Sequence, residues 1–456
     1  LSRYTSATDA DREEMLKAIG AGSIDELFAD IPEGVRLDRA IDLPPGKPEQ
    51  EVYAYLRDLA RRNVSAEDEI TFLGAGMYDH YVPSVVDALL ARSEFLTPYT
   101  PYQPEVSQGT LQLMFEYQTA ISELTGLPVS NATLYEAPSA VASAGWLARQ
   151  RNQRPRFLVS RGLHPHSREA LATTAAGYGT AVEDVVLTGG VTDAEALREA
   201  VSDDVSAVFL QQPNFLGAVE DLEALVPIAR ETGALLVVQC DPITLGVLRP
   251  PGEFDVDIAV GEGQSLGNRL DYGGPSFGFF AAQQAYLRRM PGRIAGETTD
   301  VDGKRGFVLT LQTREQHIRR EKATHNITTA QTLNALAGIV YLSWLGRRGI
   351  VELGDLLLHR TAYARRALAA LDGVELLHDQ PVVREFAVRL DAPVNRVIER
   401  CAAQGVNPGY PLGGDYPEFG DGLLVALTEQ RSKADIDRLA EVLGAAVAAE
   451  PEAVHA

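Results

Sequence analysis

Lysine is scarce in this 456-residue chain. Only Lys17, Lys47, Lys304, Lys322 and Lys433 occur, and none lies between Pro48 and Gly303. Chemistry that needs a lysine amine as nucleophile is thereby excluded from the middle of the chain. The arginines that supply positive charge there stay protonated near neutral pH and cannot take its place. Cysteine is nearly missing too: Cys240 and Cys401 are the two present, which excludes a disulfide framework and a thiolate metal cluster. Cys240, at the end of an apolar run, reads as a buried core thiol. Positive charge is in deficit, with 41 Lys and Arg against 63 Asp and Glu and a net charge of -22. Nucleic acid and anionic membrane are therefore excluded as main partners. No uninterrupted apolar stretch approaches the roughly 18 residues of a membrane helix. The opening Leu1-Ser-Arg-Tyr-Thr-Ser lacks the apolar core of a signal peptide, so the cytoplasm is the expected compartment.

What is present is an ordinary globular composition, 45% hydrophobic and 23% charged, in a chain long enough for more than one core. An N-terminal helical arm is expected to about residue 90, with helices at Asp9–Ile19, Ser23–Phe28 and 51–62. A large domain follows over 91–325 and a small α+β domain over 326–456. Within the large domain, short apolar strands at 157–160, 207–211, 235–240, 257–260 and 277–281 alternate with amphipathic helices at 139–151, 167–176, 193–200 and 222–232. That alternation predicts an α/β fold with a mostly parallel sheet covered on both faces. A helix over 110–124 is expected to stop at Gly126. The segment 289–328 carries glycines and a charged cluster, Arg314 to Lys322, which reads as a solvated helix face or a set of salt bridges. Beyond it a long helix is predicted over 329–345, then strands at 385–390 and 423–427 and helices at 393–404 and 432–449.

The stretch from Val237 to Phe280 carries the chemical signal. The strand Leu235-Leu-Val-Val-Gln-Cys ends in Asp241, a carboxylate at the C-terminal edge of a buried strand. In a pyridoxal-phosphate enzyme of the aminotransferase type, an Asp here holds the pyridinium nitrogen and a lysine about two dozen residues on forms the Schiff base. At that distance this chain has Gln264-Ser265-Leu266. Gly261-Glu-Gly-Gln-Ser-Leu-Gly has the wrong glycine spacing and position for a dinucleotide loop. His164-Pro-His166 has no second ligand cluster near it and reads as turn residues at a strand end, with His164 a candidate to stack on a cofactor ring. Thr97-Pro-Tyr-Thr-Pro-Tyr-Gln-Pro-Glu105 is barred by its prolines from helix and central strand. It is either a stiff loop presenting Tyr99, Tyr102, Gln103 and Glu105, or a surface loop whose tyrosines are buried.

Several longer runs carry a resemblance: Tyr78-Asp-His-Tyr-Val-Pro, Thr97 to Gly109, Gln211-Gln-Pro-Asn-Phe-Leu-Gly, Leu248 to Gly267, and Gly303 to Thr324. Through them the chain resembles the glycine cleavage system P-protein family over about residues 1–445, in the subunit 1 (alpha) branch. The resemblance implies an aminotransferase-like, fold-type-I architecture and a homologous beta subunit that holds pyridoxal phosphate on its lysine, in an α2β2 heterotetramer. It implies that glycine is decarboxylated and its aminomethyl group passed to the lipoyl group of H-protein. Tyr99, Tyr102, Gln103 and Glu105 would reach the shared active site. Ser265 would stand for the lost lysine, and Asp241 and His164 would be vestiges lining a pocket that stays empty. No metal is implied. The chain departs from the family pattern at Tyr135-Glu-Ala-Pro-Ser139, at Asn268-Arg-Leu-Asp271 and at His325. Two alternatives therefore stand beside the first reading: a scaffold subunit without chemistry, or a paralogue acting on another small amino acid or carrier.

Overall fold

The computed structural model describes residues 6–37, 39–274, 276–323, 325–327, 329 and 331–449. Residues 1–5 of the expected arm and 450–456 of the expected C-terminal domain lie outside that set. The chain divides into two units, Leu1–Val64 and Ser65–Ala456.

The first unit holds helices α1 (Asp9–Ile19) and α2 (Glu49–Ala60) and a 3-10 turn at Asp25–Phe28. Local chemistry sets where α1 starts and stops. The Thr8 hydroxyl accepts from Asp11 N at 3.2 Å while Asp11 Oδ2 accepts from Thr8 N at 2.7 Å, and Gly20 closes the helix in the left-handed region at φ 79°. Neither helix buries a residue, and Ile19, Phe28, Tyr53 and Leu56 stand exposed.

In the second unit, α3 (Ser84–Leu90) and α4 (Gln108–Thr125) precede a run in which strands and helices alternate. The order is β1 (Val129–Ser130), α5 (Ala137–Asn152), β2 (Arg156–Ser160), α6 (Pro165–Gly177), β3 (Ala181–Val185), α7 (Ala194–Ala200), β4 (Val205–Gln212), α8 (Leu222–Arg230), β5 (Leu235–Cys240), β6 (Ile258–Glu262) and β7 (Gly278–Ala282). The seven strands form one sheet in the order β1-β7-β6-β5-β4-β2-β3. It is parallel from β6 through β3, with β7 antiparallel to both of its neighbours. Side chains alternate between the two faces, as a pleated strand requires. Phe157, Val159, Phe209, Val237 and Val260 pack with α5 and α6, whereas Leu158, Val208, Leu236 and Val238 pack with α7 and α8. All six residues of β5 are buried, which is why its sequence is apolar except for Gln239. The sheet's C-terminal edge then delivers Asp241 and Glu262 to one place.

A hairpin follows, β8 (Ile294–Thr299) and β9 (Arg305–Thr310), with Phe307 packed on Leu111 and Met114 of α4. Helix α9 (Thr332–Ala369) is two helices joined at Gly346, whose φ of 61° and ψ of -180° break the helical path. Its second half packs with α10 (Val394–Ala402), α11 (Lys433–Ala448) and an antiparallel sheet. That sheet comprises β10 (Val374–Leu376), β11 (Glu385–Leu390), β12 (Tyr410–Pro411) and β13 (Gly422–Ala426), in the order β10-β11-β13-β12.

Three sequence expectations change here. The helix predicted to end at Leu345 does stop there, at the Gly346 break, and a second, unexpected helix continues from the break to Ala369. The glycine-bearing segment after Arg289 is a hairpin. In the charged cluster, Arg314 is buried: its guanidinium donates to the Leu311 carbonyl at 3.1 Å and to that of Met290, tying the turn after β9 to the loop before β8.

Candidate functional site

The C-terminal ends of β5 and β6 face the start of β11, and the segment Phe72–Pro83 closes the space between them. Arg384, one residue before β11, reaches into that space with only 3% of its side chain exposed. Its Nε lies 2.6 Å from Asp241 Oδ2, and Asp241 Oδ1 accepts from Ile243 N at 3.1 Å. The guanidinium lies 3.4 Å from the Tyr78 ring centroid, a desolvated cation–π contact. Its Nη2 donates to Ser265 Oγ at 3.2 Å and its Nη1 to His80 Nε2. A guanidinium can only donate, so His80 carries its proton on Nδ1, which donates to Glu429 Oε2 at 2.6 Å.

A second buried charge lies beside the first. The Tyr78 hydroxyl donates to Glu385 Oε2 at 2.7 Å and Ala75 N to Glu385 Oε1 at 2.8 Å. Burial pushes the Glu385 carboxyl up to about 7 despite those donors. At the start of α5, where a helix N-terminus favours an anion, Glu262 supplies one from within. Its Oε2 accepts from Ala137 N at 3.1 Å, and its Oε1 from Gln264 N at 3.2 Å and from Ser276. Burial pushes Glu262, too, up to about 7.

His164 caps α6: Nδ1 accepts from His166 N at 3.1 Å, and Nε2 donates to the Ala75 carbonyl at 3.0 Å. Burial holds its pKa down at about 4, so the ring is neutral, with its edge against Phe215. Among the described residues, no group of His, Cys, Asp and Glu could hold a metal.

What remains open between these groups is a cavity of about 40 Å³. The pocket expected to stay empty around Asp241 is instead filled by the Arg384 side chain. A pyridoxal phosphate does not fit the residues present. Ser265 has no amine for a Schiff base, Asp241 is already paired, the helix N-terminus is already satisfied by Glu262, and the free volume is too small for a substituted pyridine ring.

Tyr99, Tyr102, Gln103 and Glu105 are placed elsewhere, and none lines this cavity. Tyr99 is 75% and Tyr102 80% exposed, so the reading of buried tyrosines in this loop is replaced by one of outward-facing rings. Gln103 and Glu105 are exposed as well. Gln108 pins the base of the loop, donating to the Pro104 and Phe307 carbonyls at 2.6 and 2.9 Å and accepting from Phe307 N at 2.7 Å. Two of the three departures from the family pattern meet in one groove of about 740 Å³, lined by Glu136, Ser139 and His325, where Ser143 Oγ lies 3.3 Å from His325 Nδ1; Asn268 to Asp271 do not line it.

Sequence reasoning missed Arg384, Tyr78, His80, Glu262 and Glu385. The available signal was Glu262 between Gly261 and Gly263, where the glycines serve packing. A Cβ at Gly261 would meet the Cys240 carbonyl, and one at Gly263 the Phe277 ring.

The glycine cleavage system P-protein family matches residues 2–443. Over 444 residues the chain is 48% identical to the probable glycine dehydrogenase (decarboxylating) subunit 1 of Geobacillus kaustophilus (strain HTA426), covering 97% of this chain and 99% of the relative. The protein of the same name from Bacillus subtilis (strain 168) is 46% identical over 442 residues, with 97% and 98% covered. Among solved structures, the chain superposes with a TM-score of 0.89 and 43% identity on a glycine decarboxylase (P-protein) of the glycine cleavage system in inhibitor-bound form, covering 98% of this chain and 100% of that one. A sphingosine-1-phosphate lyase from Burkholderia pseudomallei K96243, at 18% identity and a TM-score of 0.65, shares the fold alone. The architecture is that of the fold-type-I enzymes, and the chain belongs to the glycine cleavage system P-protein family, in its subunit 1 branch.

Proposed function

We propose that this chain is the subunit of a two-subunit glycine decarboxylase that does not itself hold the cofactor. In this reading a beta-type partner carries pyridoxal phosphate on its own lysine, and two copies of each chain assemble as α2β2. Glycine loses its carboxylate as CO2, and its aminomethyl group passes to the lipoyl group of H-protein. The observation that carries the division of labour is the Arg384–Asp241 pair at 2.6 Å, in the space a cofactor would need. Full-length similarity to subunit 1 relatives supports the reaction assigned.

The part of this chain offered to the shared site is the loop from Thr97 to Glu105. Its prolines limit the backbone, Gln108 fixes its base, and its tyrosines are held out where they can order a partner's substrate or cofactor by hydroxyl and ring face. Purified alone, the chain is expected to show no internal-aldimine absorbance and no glycine decarboxylation, and both appear when the partner is added. Decarboxylation by this chain by itself would sink the proposal. Tyr102→Phe and Glu105→Gln in the assembled enzyme separate chemistry from scaffolding. A drop in turnover of about tenfold or more, roughly 1.4 kcal/mol of barrier, is expected with assembly intact, whereas unchanged turnover makes the chain a scaffold.

A further inference from the structure

The small cavity left beside Arg384 has walls of unbalanced charge. Asp241, Glu262 and Glu385 line it, and Arg384 is the single cation among its lining residues, already committed to Asp241. His164 also lines it and is neutral, since both of its nitrogens are spoken for in the way described above. The backbone and hydroxyl donors to Glu262 and Glu385 stabilise these carboxylates only in part, and burial still raises both. A buried carboxylate without a cation is costly, and it is relieved either by taking up a proton or by acquiring a positive ligand.

A second, independent observation points to the ligand. Gln239, the penultimate residue of β5 and part of the cavity wall, is 7% exposed, and its side-chain oxygen is buried with no hydrogen-bond partner. Buried side-chain acceptors are nearly always satisfied by protein or by a bound species. Here the protein supplies a free acceptor and a negative wall around about 40 Å³. That is room for about three waters at ~10–15 Å³ each.

We propose that this cavity binds a small cation bearing a primary ammonium group, held by N–H donation to the Gln239 side-chain oxygen and to the carboxylates of Glu262 and Glu385. Ammonium-type donors reach acceptors at about 2.7–3.2 Å and carry several N–H groups in divergent directions, which suits acceptors spread around a cavity. A metal ion would need ligands converging on one point, and no such group occurs among the described residues. The ammonium group could belong to a free ion or to the amine end of a molecule the size of glycine. The proposal stands whether or not the chain takes part in glycine decarboxylation.

The test is made on the full chain at constant ionic strength, comparing ammonium, methylammonium, glycine, sodium and potassium. Ammonium or methylammonium is expected to raise the melting midpoint by about 2 °C at tenfold the dissociation constant, and further with the logarithm of concentration, with sodium and potassium inert. 15N-labelled ammonium is expected to give a bound signal whose protons exchange slowly with water. Gln239→Leu removes the free acceptor and leaves every charge in place; it is expected to weaken binding at least tenfold, as is Glu262→Gln. An equal response to glycine assigns the site to an amine-bearing metabolite, and a response to ammonium and methylammonium alone assigns it to a free cation; both support the chemistry. Equal midpoints in ammonium and sodium, an equal response to potassium, or unchanged ammonium binding in folded Gln239→Leu overturns it. Should Gln239→Leu fail to fold, absence of the 15N signal in the wild-type chain overturns it.

Discussion

Replacing Arg384 with methionine tests whether the pocket is held together by its internal ion pair. Methionine keeps much of the side chain's length and apolar bulk but strands the Asp241 carboxylate, whose own side chain is only 16% exposed. Removing one partner of a buried pair costs about 3–5 kcal/mol, mainly because the remaining charge is left uncompensated. Loss of the Tyr78 contact at 3.4 Å and of the donor to Ser265 places the expected value in the upper half of that range. Adding Asp241→Asn removes the stranded charge. The double variant should therefore recover about 2 kcal/mol relative to the sum of the two single effects, as interacting residues do. Urea unfolding followed by tryptophan fluorescence, with the slope checked for constancy across variants, measures all four corners of the cycle. A single-variant cost below about 1 kcal/mol, or strict additivity in the double variant, would show that the pair behaves like an exposed salt bridge and would refute the filled-pocket argument.

Three further outcomes follow from the same geometry. Ser265→Lys alone is expected to give no aldimine absorbance with added pyridoxal phosphate, since Arg384 and Glu262 still occupy the space beside position 265; a stable absorbance band would contradict this. Glu262 and Glu385 have folded pKa values raised from 4.5 to about 7, so their stabilising protons are bound below pH 4.5 and lost as pH rises through 7. Stability should fall by up to about 3 kcal/mol per group across that window, and Glu262→Gln should remove roughly half of the fall, read from urea midpoints between pH 5 and 8. Gly217, at φ 84°, lies so close to the Glu385 backbone that an added Cβ would overlap its carbonyl. Gly217→Ala should lower stability by more than about 2 kcal/mol and shift the melting midpoint accordingly.

Much of the large sheet can be read from the chain because its strands are buried on both faces. Leu235–Val238 is continuously apolar for that reason, and Asp241, just past the strand's end, is recognisable as a carboxylate on a sheet edge. The absence of a Schiff base from this part of the chain is legible as well, since a lysine-free stretch of this length excludes one wherever the register falls. The strand Ala181–Val185 escapes because it is an edge strand with two exposed acidic residues, so neither periodicity nor hydrophobicity marks it. The hairpin after Ile294 escapes because Gly296, Gly306 and the Glu297-Thr-Thr run look like loop, and its order comes from packing on α4. Arg384 is the deepest miss. A lone arginine ahead of a strand looks like any surface charge, and only the fold brings it to an aspartate 143 positions earlier in the chain.

The occupied pocket also bears on how such a subunit can change over generations. A lysine at position 265 is one substitution away, and in a vacant pocket it would have room to act. With Arg384 paired to Asp241, and Glu262 seated at the start of α5, that single change would add an amine and nothing more. Making room for a cofactor requires several coordinated replacements, the first of which destabilises the protein before any cofactor can bind. The internal contacts act as a ratchet: each one that fills the space puts a solitary cofactor site further out of reach of single steps.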